Sequence, residues 1–180
     1  MSEENPEFLI DKASDADTDG AERRVFEEFL RQRGLKFTQA RRLLLDKVFS
    51  MHDHFTAEQL LDRLRTDGIG ASKATVYRTL SVLLECDLLT AHDFGEGALY
   101  YEHTFGHDHH DHLFCLHCKT ITEFRDDAIE EHQDRVTGHL GFRTLTHSLK
   151  IYGVCKGCSD EEPGLVERYA ASPGIVRHRS

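Results

Sequence analysis

Residues 72–103 read SKATVYRTLSVLLECDLLTAHDFGEGALYYEH, and their periodicity changes once along the way. Ser72 suits a helix start, and Val76, Leu80, Leu83 and Leu84 follow at helical spacing, which predicts a helix with one apolar stripe. Lys73, Thr75, Arg78 and Thr79 fall on its other faces, with Tyr77 between them. Beyond it, Leu88–His92 and Ala98–His103 run apolar or alternate around Phe94-Gly95-Glu96-Gly97, a glycine-containing turn that predicts a β-hairpin. A helix followed by a hairpin is the closing half of a winged helix-turn-helix, in which the helix before the wing enters the DNA major groove.

Working back toward the N-terminus, more short helices complete that unit. Val25, Phe26, Phe29 and Leu30 are helically spaced and stop at Gly34, and Thr38 caps a second helix carrying Leu44, Leu45, Val48 and Phe49. Thr56-Ala57-Glu58-Gln59 is a capping box ahead of Leu60, Leu61 and Leu64. The winged-helix DNA-binding domain is therefore expected over 21–103, preceded by an acidic flexible tail over 1–20. Net charge is −10, but its distribution matters more than its sum. Residues 31–45 carry Arg31, Arg33, Lys36, Arg41 and Arg42 with no acid, a basic patch that would flank the DNA groove on an otherwise acidic chain.

Toward the C-terminus, a His/Asp-rich stretch over 104–111 reads as a metal-binding hinge, and 112–158 as a second, smaller α/β unit, with a tail over 159–180 in which Gly164–Ala170 could hold a helical turn. Short strands are expected at His112–Cys115 and Thr120–Glu123, a helix at Asp126–Leu140, and a long strand over Phe142–Val154. Cys115/Cys118 and Cys155/Cys158 are two Cys-x-x-Cys knuckles; in a reducing cytosol such pairs read as a four-thiolate structural zinc site. In the run His109-His110-Asp111-His112, side chains alternate on an extended segment, which pairs His109 with Asp111 and His110 with His112. Each pair needs partners from elsewhere, and His52, His54, Glu102, Glu130, His132 and His147 are available. Cys86 reads as a small apolar packer, and His92, His139 and His178 as surface or internally satisfied residues.

The overall class is α+β, and 39% apolar content over 180 residues suffices for real cores. No run approaches the roughly 20 apolar residues of a membrane helix, and the acidic start is unlike a secretory signal, so a cytoplasmic location without membrane contact is expected. A catalytic metal could sit among the His and carboxylates. Against a metallohydrolase, or any other enzyme, the chain has no His-Glu-x-x-His, no Gly-x-Ser-x-Gly and no phosphate-cradling glycine loop. A metal buffer that ignores DNA is the third class; metal-dependent retardation of a palindromic duplex separates all three.

Gly34-Leu35-Lys36-Phe37-Thr38, Ala74-Thr75-Val76-Tyr77-Arg78-Thr79-Leu80, His109 through Cys118, and His147-Ser148-Leu149-Lys150-Ile151-Tyr152-Gly153 together resemble the ferric uptake regulator family of metal-dependent repressors, over about Glu22 to Cys158. The resemblance implies a C-terminal dimerisation domain, a homodimer or a tetramer built from it, and a palindromic double-stranded operator bound when a regulatory metal is present. It implies a regulatory site of His54, Glu102, His110 and His112, a second site of His109, Asp111, Glu130 and His147, and structural Zn2+ on Cys115, Cys118, Cys155 and Cys158. Contacts to DNA would come from Lys36, Arg41, Ser72, Lys73, Thr75, Tyr77 and Arg78. Glu102, where peroxide-sensing relatives typically carry Asp, favours Fe2+ as corepressor for metal-uptake genes; Mn2+, Co2+ or Zn2+ could substitute, and zinc-, manganese- and peroxide-sensing members are the alternatives. The segment from Glu102 to Cys115 is one residue longer than the family's commonest pattern, which leaves His107 and Asp108 as rival ligands, and Ala40 stands where relatives often have Pro.

Overall fold

Helix caps read from the sequence reappear as hydrogen bonds in the computed structural model of the chain, which describes residues 20–172. The expected acidic tail lies outside these residues apart from Gly20, as do residues 173–180 with His178. The described chain forms two units that divide between Asp108 and His109, inside the expected hinge.

The first unit runs α1 (Ala21–Gln32), α2 (Gln39–Phe49), β1 (Phe55–Thr56), α3 (Ala57–Thr66), α4 (Lys73–Glu85), β2 (Leu89–Asp93) and β3 (Leu99–His103). The Thr38 and Ser72 hydroxyls accept from the amides of Arg41 and Thr75 at the starts of α2 and α4. Thr56 and Gln59 satisfy each other's amides reciprocally at the start of α3, so helix-end donors that would otherwise lack partners are paired. Phe26, Leu30, Leu44, Leu45, Val48, Leu60, Leu64, Val76, Leu80 and Leu83 fuse the four helices into one core. Thr79, expected on an outward face of α4, instead faces this core at 1% exposure, its hydroxyl donating to the Thr75 carbonyl. The wing is the antiparallel sheet β1-β3-β2, in which Thr90 lies opposite Glu102 and His92 opposite Tyr100. Strand β1 is too short to show alternation and exists through its pairing with β3, Phe55 opposite Tyr101.

The second unit runs β4 (Asp111–Cys115), β5 (Ile121–Phe124), α5 (Asp127–His139), β6 (Lys150–Gly153), α6 (Lys156–Glu161) and α7 (Leu165–Ala171). Its sheet has the order β5-β4-β6, with β4 and β6 parallel. Two expectations need correction. The long strand over Phe142–Val154 shrinks to β6, because Phe142 and Thr144 bond back to Thr137 of α5 and the chain meets a strand only where Leu149 accepts from the His112 amide and β6 then pairs with β4. The tail expected from Ser159 instead begins within α6, and the helical turn allowed at Gly164–Ala170 is α7, whose Leu165 is buried against Cys115 and Cys158.

Candidate metal centres and nucleic-acid interface

Four thiols converge at one end of the second unit. Cys115 ends β4, Cys118 follows in the turn to β5, and Cys155 and Cys158 open α6. Their sulfur atoms all lie within 4.8 Å of one another, Cys118 to Cys155 at 3.8 Å, and none forms a disulfide. Burial pushes the Cys115 thiol up, but the backbone amides of Cys155, Cys118 and His117 outweigh it and bring the group down to about 6. Contact with Cys155, then burial, pushes Cys158 up to about 12. Four thiolates this close repel one another unless a cation sits among them, and tetrahedral sulfur coordination is what zinc takes in structural sites. The donor set fits Zn2+.

A second set gathers around the start of β4. The strand's alternation puts His109 and Asp111 on one side, as the sequence implies. Glu130 comes from the first turn of α5 and His147 from the irregular segment before β6, which the Leu149 amide ties to Asp111 Oδ1 at 3.2 Å. His109 Nε2 and His147 Nε2 are 2.7 Å apart, and His147 Nε2 lies 3.3 Å from Glu130 Oε2. The second oxygen of Asp111 is buried without a hydrogen-bond partner. Two carboxylates and two facing imidazole nitrogens, one acid oxygen unsatisfied, fit a divalent cation. His132 is elsewhere, its Nδ1 beside the Arg135 guanidinium at 3.4 Å.

The residues expected for the regulatory site fall in both units. In the first, Glu102 is buried at 8% exposure, with Oε2 2.6 Å from His54 Nε2 and Oε1 2.8 Å from His92 Nε2. His92 carries no motif spacing of its own. It joins Glu102 because the hairpin register puts Thr90, His92, Tyr100 and Glu102 on one sheet face, a signal visible only once the register is known. In the second unit, the His110 and His112 rings are 5.1 Å apart, and His112 lies opposite Glu123 across β4 and β5.

The basic groups expected to meet DNA lie on the first unit. Lys73, Tyr77 and Arg78 are exposed on α4, at whose start Ser72 and Thr75 hold each other's hydroxyls at 2.8 Å. Arg41 donates to the Lys36 carbonyl at 2.8 Å, bracing the loop before α2, while Phe37 packs edge-on against Phe26. Glu58 on α3 is the residue that motif reading passes over. Its Oε1 accepts from the Tyr77 hydroxyl at 2.8 Å and pairs with Lys73 Nζ at 3.0 Å, and Lys73 lies over the Tyr77 ring.

Known proteins are similar to this chain in sequence and fold. The ferric uptake regulator family model matches residues 32–152. A ferric uptake regulation protein of Campylobacter jejuni is 35% identical over 139 residues, 76% of this chain and 88% of that protein. The crystal structure of the Vibrio cholerae ferric uptake regulator superposes with a TM-score of 0.63 at 36% identity, covering 72% of this chain and 98% of that one. The Helicobacter pylori regulator, described as having three functional metal-binding sites, superposes at 0.70 with 26% identity over 77% of this chain and 93% of its own. A winged helix, a knuckled α/β unit, three donor sets and these likenesses agree: the chain belongs to the ferric uptake regulator family of metal-responsive, DNA-binding transcriptional regulators.

Proposed function

We propose that this protein is a cytoplasmic, Fe2+-responsive repressor of metal-uptake genes that binds a palindromic operator as a homodimer. The observation that carries the reading is the buried Glu102 carboxylate held by His54, at the root of the wing, in a chain whose next segment begins with His109, His110 and His112. His54 and Glu102 belong to the DNA-reading unit, and His110 and His112 to the unit that follows, so one ion shared by these four couples the two. A divalent ion supplies coordination bonds that favour the one arrangement in which all four donors meet. His54 and Glu102 then hold the reading head, and His110 and His112 hold it to the rest. In a two-fold dimer this sets the recognition helices about 34–36 Å apart, one turn of DNA. Lys36, Arg41 and Arg78 neutralise phosphates, while the Tyr77 ring packs on a base edge.

The dimer surface is proposed on the second unit. Helix α5 buries no residue in the single chain, and Val136, Leu140, Phe142, Ile151 and Tyr152 are exposed along it and along the β6 edge. Zinc on the four cysteines secures that unit, and the set of His109, Asp111, Glu130 and His147 supports it with a second ion. A zinc-sensing role is the second reading, favoured by one observation: His92 brings another imidazole to Glu102, and nitrogen-rich donors suit Zn2+ as well as Fe2+.

Gel retardation of a palindromic operator tests the reading. His110→Ala should abolish metal-dependent retardation while leaving a dimer in sedimentation, whereas Cys115→Ser should lose zinc and unfold the second unit. Retardation by His110→Ala at the wild-type metal concentration would contradict the proposal.

A further inference from the structure

The wing carries an acid flanked by a histidine from each side. Strand β3 is the middle of its sheet, between β1 and β2. Phe55 pairs with Tyr101 and Thr56 with Tyr100, so one further step of that register puts His54 across from Glu102. On the other edge Thr90 faces Glu102, and His92 is the diagonal neighbour two residues along on the same face, a separation that an imidazole and a glutamate span together. Backbone pairing alone thus delivers three donors to one patch of sheet. All three belong to the first unit.

Hydrogen bonding explains part of this cluster, since Glu102 Oε2 is 2.6 Å from His54 Nε2 and Oε1 is 2.8 Å from His92 Nε2. It does not explain the convergence: a nitrogen from each ring and one acid oxygen all lie within 4.8 Å of one another. Two atoms bound to one ion at about 2.1 Å stand at most about 4.2 Å apart, so sub-ångström shifts seat an ion among the three. All three side chains are at least nine-tenths buried. A cation there answers the charge of a carboxylate taken out of water, which neutral imidazoles answer only by donating hydrogen bonds. Two imidazoles and one carboxylate are the donor set of non-haem ferrous sites, and they leave the remaining positions of the ion open.

We infer that His54, His92 and Glu102 form a cation site complete within the DNA-reading unit, which takes a borderline divalent ion of the Fe2+, Co2+ and Zn2+ class before any donor from the second unit joins it. His92 is the added ligand. The three donors are fixed in advance by the sheet, so little ordering cost remains when the ion arrives. His110 and His112 then close on an ion already seated. This last step rests on the regulatory reading above; the three-donor site does not.

The test uses the full chain with its cysteine-bound zinc and the substitutions His110→Ala, His112→Ala and His147→Ala, which disable the hinge donors and the second set. Titration with Co2+ should still fill one site, read by calorimetry and by visible d–d bands. Proton NMR of that Co2+ form should show two strongly shifted exchangeable imidazole signals, from His54 and His92. Adding His92→Gln, whose amide can still donate to Glu102, should weaken Co2+ binding at least tenfold. No Co2+ equivalent in the triple variant, a single shifted signal in it, or an affinity unchanged by His92→Gln would overturn the proposal, the last by reducing His92 to a hydrogen-bond donor. The shifted signals are read with His92 in place, so they decide the matter even if the Gln variant does not fold. Operator retardation by the wild type and by His110→Ala judges the regulatory reading separately, so either can fail while the other stands.

Discussion

At Glu58 one carboxylate oxygen holds two groups of the recognition helix at once. The hydroxyl of Tyr77, and after it the ammonium of Lys73, keep this acid below its ordinary range, and the same contacts raise Tyr77 and Lys73. The groups are exposed, so the bridge adds little to stability; its effect is on what α4 offers to DNA. With its hydroxyl engaged, Tyr77 presents a ring, and Lys73 is partly neutralised. Because Glu58 is shifted down, the bridge is intact above its ordinary pKa and is lost only as pH falls through the lowered one. Glu58→Ala should free Lys73 for a phosphate, raise affinity for random duplex, and steepen the dependence of log affinity on log salt by about 0.9. Fluorescence anisotropy across a salt series measures this, and an unchanged slope would refute it.

Cys115 and Cys158 are pushed in opposite directions, and this too has a consequence at single residues. With Cys115 brought down to about 6 and Cys158 pushed up to about 12, the metal-free site near neutral pH holds an ionised Cys115 and a protonated Cys158. Zinc uptake must then displace at least the Cys158 proton, so apparent affinity should rise about tenfold per pH unit for each proton released. Calorimetry in buffers of different ionisation enthalpy counts those protons; a pH-independent affinity would be inconsistent with the assignment.

Among the elements, α7 gives the cysteine knuckles an apolar lid, since Leu165 and Tyr169, together with Val154, pack with Cys115 and Cys158. Leu165→Ala should cost about 2–5 kcal/mol locally and speed zinc release to a chelator, read as a faster colour change; release at the wild-type rate would show that the lid is dispensable. Thr56→Ala, which removes half of the capping box on α3, should cost about 1 kcal/mol in chemical denaturation. Elements with their own local chemistry were legible in the sequence: the caps at Thr38, Thr56 and Ser72, the glycine turn of the wing, and the paired knuckles. Elements made by distant partners were not. Strand β1 needs β3, residues 142–149 lack the neighbour that a strand requires, and His92 meets Glu102 only through the hairpin register. The second metal set was half legible, because alternation pairs His109 with Asp111, whereas Glu130 and His147 came from the family resemblance.

For the molecule as a whole, the proposed logic joins a DNA-reading unit to a metal-stapled unit whose apolar surface is left open. Phe142 and Leu145, at 70% and 96% exposure, belong to the segment after α5, which the Phe142 amide and the Thr144 hydroxyl tether to Thr137 of that helix. Val136→Asp on the same helix should weaken self-association at least tenfold in sedimentation equilibrium without loss of zinc; unaltered association would place the dimer contact elsewhere. The most direct test of the account holds the cysteine-bound zinc constant and varies only the regulatory ion, while operator affinity and small-angle scattering are measured on the same samples. The account predicts at least tenfold tighter operator binding with Fe2+ or its surrogate present, together with a changed scattering profile that His110→Ala eliminates. Equal affinity and superimposable profiles with and without the ion would contradict it.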